Sequence, residues 1–207
     1  MRPAPDGLSA RDAIFGRVRA ALAPLKERAP LPEYDPALVV TLPAGADLWG
    51  TFVAKLKAVN GLALDSLDAL RDHLVARAVK RLYCDPALRT PIGEHLSGTF
   101  AVEYTFDRSR VDEYGAGITR AAGAIAETGT IVINDATTSC RLAALAPWIH
   151  VAVLAPGSLW PDIPTALGQL GPDPNTIWIT GPSKTADVEG ILIEGVHGPG
   201  EQLCLRL

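Results

Sequence analysis

The sequence predicts one α/β domain, and three observations carry that expectation. Segments with helical apolar spacing alternate with short β-prone runs, so helices and strands share a layer. The stretch "PWIHVAVLAP" is almost continuously apolar, as a strand is when both of its faces are covered. Finally, 207 residues with 48% hydrophobic and 20% charged side chains form a globular composition, long enough to bury a core without disulfides or metals.

Taken in order, the elements begin at Ser9, which can cap a helix with Asp12 three residues on and Ile14, Phe15, Val18, Leu22 and Leu25 along one face. Pro24 limits that helix. From Pro30 to Pro43 four prolines, with Tyr34 among them, exclude long regular structure, so the segment reads as an extended arm lying over the domain or reaching a partner. Residues 1–46 are therefore expected to form a helix and a proline-rich arm, and residues 47–207 the α/β body, within one structural domain. Asp47 opens a second helix carrying Leu48, Phe52, Val53, Leu56 and Val59, stopped by Asn60-Gly61. Ser66 caps a third with Leu67, Leu70, Leu74 and Val75 inward, and "AVKRLYCDP" follows as a strand ending at a turn. Further along, "TFAVEYTF" alternates, and "AIAETGTIVIND" is two β-prone runs around Thr128-Gly129. Leu159 to Leu170 is expected to be helical with Ile163, Leu167 and Leu170 inward, before the strands "NTIWITG" and "EQLCLRL".

Charge and composition exclude several classes of function. The net charge is −4 with the basic residues scattered, so no cationic face for a phosphate backbone is expected and nucleic acid is excluded as a partner. The start "MRPAPDGLSARD" has no apolar signal region, and the longest apolar stretch, "LAALAPWIHVAVLAP", is broken by Pro147 and His150. No membrane span and a cytoplasmic location are expected. Cys84, Cys140 and Cys204 are odd in number and far apart, without CxxC spacing, so this chain is expected to hold neither an iron–sulfur cluster nor another metal.

The densest chemistry lies in "TGPSKTADVEGILIEGVHGPG", Thr180 to Gly200. The strand "TIWIT" runs into Gly181-Pro182-Ser183, and Ala186 to Gly195 can place Val188, Ile191 and Leu192 on one helical face. That is a strand–turn–helix junction, where free backbone N–H groups attract anions. Ser183, Lys184 and Thr185 would line its mouth, two hydroxyls and an ammonium suited to a phosphate or carboxylate. The segment is not a P-loop, because the glycine before the lysine and the four-residue spacer are missing. Asp187 and Glu189 are either site carboxylates or residues stabilising a helix start. His197, with Gly198 after it, sits in a turn that aims the imidazole at the mouth or satisfies carbonyls of the turn itself. His150, inside an apolar strand, reads as a hydrogen-bonded core residue. A second candidate is Glu127 with Thr128, Gly129 and Thr130: a carboxylate at a strand end beside a glycine is suited to base or nucleophile work, or anchors a loop. Ser139-Cys140-Arg141 lacks a nucleophile elbow, and Arg141 reads as an anion ligand or salt-bridge donor.

The segments "AIAETGTIVI", "PWIHVAVL" and "ITGPSKTADVEGILIEGVHGPG" together resemble the LUD domain family in its short, lactate-utilisation members. The resemblance implies a sheet with helices on both faces, the fold shared by sugar-phosphate isomerases, CoA transferases and formyltetrahydrofolate cyclo-ligase. It also implies a role in oxidising L-lactate to pyruvate beside two partner proteins that carry iron–sulfur clusters, with no cofactor in this chain. In the related CoA transferases a glutamate in a glycine-containing turn is the nucleophile; Glu127 in "AETGT" resembles it, although the motif differs. The leading expectation is a non-cluster subunit of a lactate-oxidising system, with Gly181 to Asp187, Glu127 and His197 forming a site for a small anion or a partner's loop. Glu127, His197 and Asp187 are its catalytic candidates. The alternatives are a stand-alone acyl or CoA transferase using Glu127, an isomerase holding a phosphorylated molecule through Lys184, and a purely assembling or regulatory module.

Overall fold

The computed structural model describes residues 9–25, 42–173, 175–186 and 191–207. It divides into two compact units, Met1–Val40 and Thr41–Leu207. In the first, helix α1 (Ala10–Leu22) starts where Ser9 Oγ accepts the Asp12 N–H at 3.2 Å, and none of its residues is buried. Most of the expected proline-rich arm lies outside the described residues.

The second unit opens with α2 (Leu48–Ala58), whose cap Asp47 accepts the Gly50 N–H at 3.0 Å. The helix stops where Asn60 takes a left-handed φ of 68° and the Gly61 N–H returns to the Leu56 carbonyl at 2.8 Å. Strand β1 (Leu62–Leu64) leads to α3 (Leu67–Ala76), capped by Ser66, and to β2 (Arg81–Cys84). Short helical turns over residues 86–96, including α4 (Glu94–Leu96), precede β3 (Ala101–Glu103) and β4 (Ala116–Arg120). Then come β5 (Gly123–Ile125), β6 (Thr130–Asn134), α5 (Arg141–Leu145), β7 (Ile149–Leu154), β8 (Leu159–Trp160), α6 (Ile163–Gln169) and β9 (Thr176–Ile179). The chain finishes with β10 (Lys184–Ala186), β11 (Leu192–Glu194) and β12 (Glu201–Arg206).

Six of these strands form a parallel sheet in the order β1-β12-β7-β4-β2-β3. Its central strands are buried on both faces, which explains the unbroken apolar run of β7. On one face Ile149, Val151, Val153, Leu203 and Leu205 pack with Leu70 and Leu74 of α3 and with Leu88, Ile92 and Leu96. On the other, Ala152, Leu154 and Cys204 meet Phe52 and Leu56 of α2, Ala144 of α5 and residues of a second sheet, β8-β5-β6-β9. The fold is thus α/β with a parallel central sheet covered on both faces.

Two local expectations are corrected. Leu159 and Trp160 pair with β5 as a strand, so the helix expected from Leu159 begins only at Ile163, after Asp162 caps it by accepting the Thr165 N–H at 2.8 Å. Where a helix was expected over Ala186 to Gly195, the described residues of that span include strand instead: β10 and β11 pair antiparallel with Thr185 opposite Ile193. The consecutive apolar, partly β-branched residues Ile191, Leu192 and Ile193 suit a strand as well as they suit a helix face. Val188, Asp187 and Glu189, and with them two of the sequence-predicted site residues, lie outside the described residues.

Candidate functional site

The residues singled out in the sequence disperse around the amino-terminal edge of the parallel sheet and the ends of the second sheet. Gly181, Pro182 and Ser183 do come together with His197 and Gly198. With Thr180, Trp178, Gln202 and the last residues of α5 they line a cavity of about 250 Å³. Backbone bonds hold its walls: the Ser183 N–H donates to the Pro199 carbonyl and the Gly195 N–H to the Ser183 carbonyl, both at 2.9 Å. Gly181 has φ of 85°, and a Cβ there would lie 2.4 Å from the Val59 carbonyl oxygen, so only glycine lets this turn rest on the end of α2. Trp148 borders the same region, its ring filling the space that side chains at Gly195 and Gly200 would need.

Thr130 joins this cluster from the second sheet, because its hydroxyl bonds the Thr180 hydroxyl at 2.8 Å and receives the Thr128 hydroxyl at 2.7 Å. Gly129 turns against the backbone of α2, where a Cβ would come within 2.4 Å of the Leu56 nitrogen. Beneath the cavity runs a buried chain of polar groups. Gln202 Oε1 accepts from His150 Nδ1 at 2.9 Å, while the Gln202 amide nitrogen donates to the Leu203 carbonyl, which fixes the orientation of the amide. His150 Nε2 therefore accepts from the Thr119 hydroxyl at 2.9 Å. The ring is fully buried, and burial lowers its pKa from the ordinary 6.5 to about 4 against the opposing Gln202 bond, so it is neutral.

The structure does not bring the remaining sequence candidates into the cavity. Lys184 points away: its Nζ donates to the Val59 carbonyl at 3.2 Å and pairs with Glu194 at 3.5 Å, so the ammonium caps the carboxyl end of α2. Thr185 is held in the β10–β11 ladder. Arg141 pairs with Asp135 at 2.5 Å, beside the Asn134–Thr176 end of the β6–β9 ladder, whereas Thr130 and Thr180 lie at its other end. Glu127 turns towards α6, where its Oε1 accepts the Ile163 N–H at 3.0 Å and its own N–H donates to the Pro161 carbonyl. In that place it supports a helix start. Glu127→Ala is expected to lower stability by about 0.5–1 kcal/mol. Thermal melts that show no change for the alanine variant would remove that assignment.

A second polar cluster lies at the carboxyl-terminal edge, and the sequence reading missed it. The chain leaves β2 towards β3 on one side and leaves β4 towards β7 on the other, which makes the β2–β4 gap the point where ligands collect in open parallel sheets. Asp85 follows β2 there and is only 1% exposed. Its carboxylate accepts from Arg120 Nε at 3.2 Å, the Ala87 N–H at 2.9 Å and the Ser139 N–H at 3.4 Å. Tyr83, whose hydroxyl bonds Ser139 Oγ at 2.7 Å, is pushed up to about 12, chiefly by burial. Asp85 and Arg120 are 35 residues apart in sequence, so only strand order reveals the pair.

As to metal chemistry, no three His, Cys, Asp or Glu side chains among the described residues are grouped as a bound ion would require. Burial pushes the Cys84 and Cys204 thiols up to about 12, which keeps them protonated. None of the described helices is long and apolar enough to cross a membrane.

A parallel sheet covered on both faces, with a second small sheet and an antiparallel strand pair, defines an α/β domain. A DUF162 family protein from Deinococcus radiodurans shares that fold: its crystal structure superposes with a TM-score of 0.57 at 19% identity, covering 77% of this chain and 96% of that one. The LUD domain model matches residues 65–205, and the chain belongs to that family. An uncharacterised protein of Neisseria meningitidis serogroup B is 24% identical over 212 residues, covering 90% of this chain and 91% of the other. Lactate utilization protein C of Bacillus subtilis is 32% identical over 98 residues, and that of an Exiguobacterium species 38% identical over 91 residues. These two alignments cover 44% and 40% of this chain and span about two fifths of the relatives' own length, 41% and 40%.

Proposed function

We propose that this chain serves lactate utilisation as a subunit without a cluster of its own, acting beside iron–sulfur partner proteins that carry the electrons. The observation that carries this reading is the LUD domain match across residues 65–205 together with relatives named Lactate utilization protein C. Oxidising lactate to pyruvate releases two electrons and two protons, and a carrier must accept the electrons. On this proposal the partners supply that carrier. In this reading the cavity between Thr180–Ser183 and His197–Gly198 receives a small anion or a partner's loop. Its hydroxyls and imidazole are donors, and its backbone is held too firmly to need rebuilding on binding.

The test is to tag the chain in its native host, isolate it gently and assay lactate-dependent dye reduction. The expected result is co-purification of iron–sulfur proteins with activity, and at least a tenfold loss of that activity in His197→Ala with the fold retained. A purified single chain that reduces the dye with lactate unaided would overturn the subunit reading, and unchanged activity of the variant would overturn the role of the cavity.

A further inference from the structure

We propose that the carboxyl-terminal edge of the parallel sheet holds a second binding site, for a small monocarboxylate with a short apolar body, clamped by Arg120. The inference does not rest on the lactate-utilisation reading, because the ligand class follows from the guanidinium and the walls around it. A cavity of about 340 Å³ opens at the carboxyl ends of β4, β7 and β12, lined by Arg120, Leu88, Val153 and Leu207 with the hydroxyl-bearing Thr137 and Ser158. Its place beside the β2–β4 gap is where the topology of a parallel sheet leaves room for a ligand.

The arginine is held ready for an anion. Its Nε is committed to Asp85, and among the described residues neither terminal nitrogen has a protein partner, so the flat fork of the guanidinium is free while its orientation is fixed. Asp85 is itself held by two backbone N–H groups, and the Thr138 hydroxyl donates to the Arg120 carbonyl at 2.9 Å, which secures the strand end that carries the side chain. A planar carboxylate matches such a fork with two parallel hydrogen bonds. Asp85 offsets the charge of Arg120, so selectivity against phosphate rests on the apolar walls of the cavity and not on net charge. The apolar walls, with Leu88 and Val153 almost fully buried, suit a hydrocarbon body, and the two hydroxyls can hold one further polar substituent.

The purified full chain can be titrated calorimetrically with butyrate and 2-oxobutyrate, with butyramide and inorganic phosphate as controls. The acids are expected to bind, with the amide and phosphate at least tenfold weaker. Arg120→Lys keeps a cation for Asp85 but removes the fork, and should weaken the acids about tenfold. Ala155→Trp fills the cavity from its exposed rim without touching the Asp85–Arg120 pair, and should abolish binding while leaving the circular dichroism spectrum unchanged. Equal binding of acid and amide, displacement of butyrate by equimolar phosphate, or wild-type affinity in either variant would overturn the proposal.

Discussion

Gly117→Ala is expected to cost about 3 kcal/mol or more, a large fraction of the folding free energy of a domain this size. Gly117 lies in β4 beneath α5, and a Cβ built there falls 1.8 Å from the Ala143 carbonyl oxygen and 2.9 Å from its carbon. Both obstacles are backbone, so no rotamer relieves the clash, and α5 must lift off the sheet. That movement would open the packing of Ala143 and Ala144, which are fully buried. Gly168→Ala is the natural control, because nothing lies within 4 Å of its added methyl and α6 gains a better helix former. Urea denaturation should therefore move the two variants in opposite directions. Similar midpoints for both would show that α5 yields freely and that the tight β4–α5 contact is unimportant to stability.

The second large effect concerns pH. Folding holds His150 neutral down to about pH 4, whereas in the unfolded chain the ring takes up a proton near its ordinary 6.5. Between those values the unfolded state binds more protons than the folded one, so stability is present in full above about pH 6.5 and is lost as the pH falls towards 4. The loss from this one residue amounts to roughly 3 kcal/mol. Acidic groups add slopes of their own, so the informative quantity is the difference between parent and His150→Gln in urea unfolding at pH 7, 5.5 and 4.5. The variant should be less stable at neutral pH and lose less on acidification. Identical pH profiles would mean that the ring is not shielded from water.

The parts of this fold that were legible in the sequence are those determined locally. Ser9, Asp47 and Ser66 each cap the helix they precede, since a side-chain oxygen within three residues of a free N–H needs no distant partner. The long apolar strand β7 was equally plain. Strand β4, "AGITR", was not, because five residues that include a glycine carry too little pattern, and their burial comes from strands contributed by distant parts of the chain. The β10–β11 pair was not legible because apolar residues at 188, 191 and 192 fit a helical face, while the ladder that decides the matter joins Lys184–Ala186 to Leu192–Glu194. For the candidate site the same division holds. The glycines and His197 of the terminal segment line one cavity, but the partner of Lys184 is a carbonyl 125 residues away, and nothing local announces that. Likewise, Asp85 and Arg120 look like ordinary surface charges until the order of the strands places them together.

The seat of Trp148 has a practical consequence. Its indole is wedged over Gly195 and Gly200 and is still 53% exposed, while Trp178 lines the neighbouring cavity. Indole emission shifts with the polarity of its surroundings, so the protein carries its own optical reporter at the amino-terminal edge of the sheet. Of the other two tryptophans, Trp49 packs in a separate cluster and Trp160 shares one with Trp178; replacing both by phenylalanine clears the background. Arrival of an anion or a partner's loop at the His197 cavity would then be readable as a colour and intensity change in unlabelled protein, in real time.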